Sequence, residues 1–164
     1  MKKLLYLFVA TILNTIANAQ TDLKNPERKM YEFFPSSKIE VIQNADNFYP
    51  EIKAGEKIVF KYTFHASENP MVTDDELSEN VIFEVDASWN SFVFIKKLAM
   101  AKPMYQLGCF CAERGYYEIT GGKIRGKKLK NGNYAIAGKV TMQFKNGVTK
   151  TIAFDGIFKS VHAD

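Results

Sequence analysis

Residues 134–159 read YAIAGKVTMQFKNGVTKTIAFDGIFK. Tyr134, Ile136, Val140 and Met142 alternate with Ala135, Ala137, Lys139 and Thr141, and Phe144 continues the apolar set. A period of two is the signature of a strand with one buried face. Asn146-Gly147 follows, a pair that accepts the positive φ angles of a tight hairpin turn. Ile152, Phe154 and Phe158 give the returning strand a matching apolar face. Gly138 and Gly156 fall inside these strands, where a bulge, a bend or close backbone approach is expected.

The same grammar extends upstream. Tyr116 to Thr120 and Lys123 to Leu129 are two more strand candidates, separated by Gly121-Gly122, with Asn131-Gly132 leading on to Tyr134. Three such turns in series predict a C-terminal four-stranded antiparallel meander. Ile58, Phe60, Tyr62 and Phe64 share one face of a strand over Lys57 to Ala66, and Lys57, Lys61, Thr63 and His65 share the other. Val81, Phe83 and Val85 alternate with Ile82, Glu84 and Asp86, and a turn at Ser88 to Ser91 precedes a short strand, Phe92 to Ile95. Ile39 to Ile42 reads as a strand, and Met30 to Phe34 as a first strand or a packed arm. Pro103 blocks a long helix in the ambiguous stretch from Lys96 to Tyr105. The result is an all-β domain, a single antiparallel β-sandwich or, alternatively, a small up-and-down barrel. The long, irregular connection over 96–114 favours the sandwich.

The chain has 164 residues, enough for one domain with a core of its own. Met1-Lys2-Lys3, an apolar run from Leu4 to Ile16 and Ala17-Asn18-Ala19 form the pattern of a secretory signal peptide cleaved before Gln20. The expected organisation is a signal peptide over 1–19, a polar N-terminal arm over 20–38 with Pro26 and Pro35, and the antiparallel domain over 39–164. The mature chain would be periplasmic or extracellular. With no cysteine near the cleavage point it would not be lipid-anchored, and no further segment approaches membrane-span length.

Charge is unevenly placed. Residues 20–95 hold 7 Lys/Arg and 14 Asp/Glu, net −7, whereas residues 96–164 hold 13 Lys/Arg and 4 Asp/Glu, net +9. Strands from the two halves that share sheets would neutralise each other; two opposed faces would instead attract an anionic partner. Nucleic acid does not fit an exported chain of such small total charge.

Cys109-Phe110-Cys111 is the most suggestive motif. Four states are open to it: a local disulfide in an oxidising compartment, two buried thiols, a soft-metal site, or a redox-active pair. Met100, Met104, Cys109 and Cys111 are four sulfur ligands within twelve residues, an inventory suited to Cu(I). Adding His65 and His162 to the two cysteines gives a zinc inventory without finger-like spacing. Thr73-Asp74-Asp75-Glu76 reads as a capping box opening a helical turn, with a cation site as the alternative.

Lys123, Arg125 and Lys127 share one face of a strand, as a solvated edge or as a site for an anionic glycan or lipid head group. Trp89, Tyr105, Tyr116 and Tyr117 lie in or near connections, where rings can stack on sugars or anchor a partner. No nucleophile elbow, zincin motif or phosphate loop is present, no residue is marked as catalytic, and no cofactor is called for. The expected function is therefore a non-enzymatic exported β domain that binds or supports an envelope component, a glycan or a protein. Thiol-redox or copper/zinc handling at the Cys-x-Cys motif is the alternative.

Overall fold

The computed structural model describes residues 25–44, 47–68, 71, 74, 76–95 and 97–161. The expected signal peptide, together with Thr73, Asp75 and His162, lies outside the described residues. The chain forms β1 (Arg28–Asn44), β2 (Asn47–Ala54), β3 (Lys57–His65), β4 (Ser78–Asp86), β5 (Ser91–Phe94), β6 (Met104–Gly108), β7 (Gly115–Lys128), β8 (Tyr134–Gln143) and β9 (Thr149–Ser160). A 3₁₀ turn, Leu98–Ala101, occupies the ambiguous stretch before β6. The all-β expectation holds, and among the described residues no helix is long and apolar enough to cross a membrane.

The strands form one sheet in the order β2-β1-β3-β4-β6-β7-β8-β9, with β5 added to β7. The neighbours along that path are antiparallel, but a short parallel contact pairs Glu32 with Lys159 and Phe33 with Ser160. The sheet is therefore mixed rather than purely antiparallel, and β1 is hydrogen-bonded to β9 as well as to β3.

Met30 to Phe34 and Ile39 to Ile42, two of the strand candidates, lie in one long strand, β1. It starts at Arg28, well inside the stretch read as a polar arm. Pro35 has no N–H to give a ladder. The register slips between Phe34 and Ser37, with Ser36 at φ 51°. Before the slip β1 pairs with β3; after it, Ser37 to Asn44 pair with β2. The stretch around Pro35 is thus a bulge that hands the strand from one partner to another.

The four-stranded meander is present as β6-β7-β8-β9, with a different division. Gly121-Gly122 is not a hairpin turn. β7 runs straight through it, with a bulge between Ile119 and Gly121. Gly122 sits at φ 119°, and a β-carbon there would collide with the Lys139 carbonyl, so no side chain fits. Asn131-Gly132 and Asn146-Gly147 do make the expected turns, with the glycines at φ 84° and 83°.

The main core is aromatic. Phe33, Phe60, Phe83, Phe92, Tyr134, Phe154 and Phe158 are buried together, and Phe60 stacks on Phe83 at 5.2 Å. Gly138 realises the expected close approach: it pairs with Phe154, whose ring occupies the space of the missing side chain. A second, smaller core lies on the opposite face. The β1-β2 hairpin packs Phe34, Ile39, Phe48 and Ile52 against Val59, Ile82 and Met104. That cover buries both faces of β4, so Ile82 and Glu84 are buried along with Val81, Phe83 and Val85.

The acidic segment before β4 also differs from expectation. Asp74 stands at φ 67°, in the left-handed region, so it does not sit in the first turn of a right-handed helix.

Candidate functional site

The alternation of β7 turns Ile124 into the core and Lys123, Arg125 and Lys127 to solvent. On β8 the outward set is Ala135, Ala137 and Lys139, and on β9 it includes Ala153 and Asp155. Three alanines in the middle of the face leave it shallow between its charged margins. Two grooves of about 500 and 420 Å³ run along it and share Arg125, Ala137 and Asp155.

Register fixes the electrostatics. Lys123 is paired directly with Lys139, and Arg125 faces Ala137, which in turn faces Asp155. Ala137 thus separates Asp155, the one carboxylate lining the grooves among the described residues, from the nearest guanidinium by two strand spacings, roughly 9–10 Å. Among the described residues no salt bridge joins Lys123, Arg125, Lys127 or Lys139 to a carboxylate. Val93, paired with Arg125, is 62% exposed and adds an apolar margin.

The sequence-level charge asymmetry survives folding because β6 to β9 are spatial neighbours. Among the described residues two pairs cross between the halves, Lys102 with Glu84 and Lys150 with Glu79. The β7-β8 cations receive no such partner.

The other residues singled out from sequence separate. Trp89 lies in the turn before β5, against Phe94, and the Asn90 carbonyl accepts the Lys128 N–H, so this turn sits beside the end of the basic strand. Tyr105 and Tyr117 are core side chains rather than surface ones, at 0% and 5% exposure. Their positions on β6 and β7 face inward, toward Phe144. Tyr116 is half-buried on the outer face, in a different cleft from the basic residues.

Cys109 and Cys111 have their sulfurs in bonding contact with each other. Phe110 between them projects into solvent, and the Arg114 N–H donates to the Cys111 carbonyl at 3.3 Å. The four-sulfur set does not assemble. Met104 is buried in the second core, Met100 is exposed, and Cys109 packs against the main core on the other side of the sheet. Among the described residues no three His, Cys, Asp or Glu side chains converge as a metal site.

Two buried carboxylates were not singled out in the sequence. The Glu84 side chain is fully buried, and Lys57 and Lys102 reach Oε1 at 2.5 and 3.1 Å. The Ile39 N–H donates to Oε2 at 2.9 Å. Burial pushes the Glu84 pKa up, but Lys57, the Ile39 N–H and Lys102 outweigh it and hold the group below the usual glutamate range. Glu79 lies on the opposite face of β4, where it accepts from the Tyr105 hydroxyl at 2.8 Å and from Lys150. Burial first, then the Glu79 charge, pushes the Tyr105 hydroxyl far above the ordinary phenol range. Each carboxylate is held by its own lysines and hydrogen bonds, with the sheet between them, so they do not form an acid–base pair.

Comparison with protein-family models, with curated proteins and with solved structures finds no significant match.

Proposed function

We propose that this protein is an exported, non-enzymatic β domain that binds an anionic component of the cell envelope across the outer face of β7, β8 and β9. The Lys123–Lys139 pair carries the reading. Like charges directly opposed on neighbouring strands destabilise a sheet, and among the described residues no carboxylate relieves them. An anion lying across the strands would meet both lysines, with Arg125 and Lys127 beside them and alanines beneath. The signal-peptide pattern of the first nineteen residues supports the exported setting.

The test is binding of a sulfated dextran oligosaccharide, and of vesicles of phosphatidylcholine with phosphatidylglycerol, to the wild type and to Lys123→Ser/Arg125→Ser/Lys127→Ser. Binding that weakens at least tenfold in the variant and with rising salt supports the reading. The two probes distinguish a glycan from a lipid surface. Equal binding by both proteins contradicts it.

A second reading is favoured by one observation, the bonded sulfurs of Cys109 and Cys111 beside an exposed Phe110. A client dithiol could pass two electrons to this bond: the client's disulfide forms as Cys109 and Cys111 become thiols. Phe110 would give an unfolded client an apolar contact. Cycling of the bond with glutathione, read as alkylation by mass spectrometry, supports this role, and a bond that resists reduction in the folded protein excludes it.

A further inference from the structure

A cleft of about 450 Å³ lies over β6 and the start of β7, bounded by Phe48, Tyr49, Gln106, Arg114, Tyr116 and Lys145 among others. A smaller cavity of about 120 Å³ shares Gln106 and Tyr116 with it and is also lined by Lys61 and Asn80. Among the described residues no carboxylate lines either one.

An ordered polar ladder leads into this cleft. The Thr63 hydroxyl donates to Asn80 Oδ1 at 2.6 Å, and Asn80 Nδ2 donates to Gln106 Oε1 at 3.0 Å. With its oxygen committed, the Gln106 amide offers its two N–H groups at the end of the ladder, and no described residue accepts them. The two cations on the rim are set by a clasp between loops. Asn146 Nδ2 donates to Glu113 Oε1 at 2.8 Å, which draws the turn carrying Lys145 against the loop carrying Arg114. Neither Arg114 nor Lys145 has a salt bridge among the described residues. Tyr49 and Tyr116, both half-buried, add ring surface to the same lining.

We infer that this cleft is a binding site for an acidic sugar unit, a pyranose carrying a carboxylate. Tyrosine rings pack against the apolar face of a sugar ring, an amide pair of N–H groups donates to ring hydroxyls, and arginine with lysine takes the carboxylate. The site lies at the opposite half of β7 from the basic face and stands whether or not that face binds an anion.

Calorimetric titration of the intact domain with a galacturonate trisaccharide and with the neutral galactose trisaccharide tests it. The cleft predicts binding of the acidic trisaccharide at least tenfold tighter than of the neutral one. Arg114→Gln/Lys145→Gln, at two exposed positions, should remove that preference, and Gln106→Leu should weaken both. Lys123→Ser/Arg125→Ser/Lys127→Ser should leave the titration unchanged, which separates this site from the one proposed above. Absence of binding, equal binding of the two sugars, or a preference that survives Arg114→Gln/Lys145→Gln overturns the inference.

Discussion

Lys123 on β7 and Lys139 on β8 stand directly opposite each other on the outer face of the sheet, and neither has a carboxylate partner among the described residues. Opposite charges at such a position stabilise a sheet and like charges weaken it, by about 0.2–1 kcal/mol. Lys139→Glu should therefore raise stability by about 0.5–1 kcal/mol, read as a higher urea midpoint at unchanged slope. The same substitution should weaken binding of sulfated dextran. A variant that gains stability and keeps full binding would leave the lysine pair without a role.

Glu84 gives the acid limb its shape. Its pKa is lowered in the folded state, so its contribution is complete above the unfolded glutamate value of about 4.3 and is lost as pH falls through the lower folded value. Glu84→Gln should cost about 1.5–3 kcal/mol at neutral pH, the range for hydrogen bonds to a charged group. Its stability should also fall less steeply than the wild type's below about pH 4. Urea midpoints across that pH range check both statements.

Tyr105 acts at the other end of the scale. Its pKa is raised by burial and by Glu79, so its stabilising contribution is present below the unfolded tyrosine value of about 10 and is lost as pH rises beyond it. Tyr105→Phe should lower neutral stability by about 1 kcal/mol and make the alkaline limb shallower. Circular dichroism followed with tyrosinate absorbance reads both effects. An unchanged alkaline limb would show that Tyr105 does not contribute to it.

Gly138 is required by its neighbour, not by its backbone angle. Gly138→Ala drives a methyl group into the Phe154 ring and should cost about 1–3 kcal/mol, as other overpacked cores do. Ala153→Gly, on the exposed outer side of β9, should cost less than 1 kcal/mol. Thermal melts of the two variants make the comparison.

These expectations show where the sequence was legible. Tyr134 to Phe144 and Ile152 to Phe158 show their facing because one side meets core and the other solvent. β4 did not, because the β1-β2 hairpin covers its outer face and Ile82 and Glu84 are buried along with Val81 and Phe83. Glu79 nevertheless left a signal: it falls in phase with Val81, Phe83 and Val85, where a carboxylate needs a buried partner. Gly121-Gly122 misled because glycine serves a bulge as readily as a turn, and only the pairing across to Val140 distinguishes the two. Lys123, Arg125 and Lys127 were readable as one face from β7 alone. Lys139 and the alanine floor joined them only through cross-strand register. Tyr49, Arg114 and Lys145 come from three separate connections or edges, and no local pattern links them.

The most direct test of the central claim is an amide chemical-shift map of the isotopically labelled domain titrated with the sulfated dextran oligosaccharide. The account predicts saturable shifts concentrated at Lys123, Arg125, Lys127, Ala137 and Lys139. Shifts spread evenly over the lysines of the whole surface, or confined to residues outside β7, β8 and β9, would contradict it.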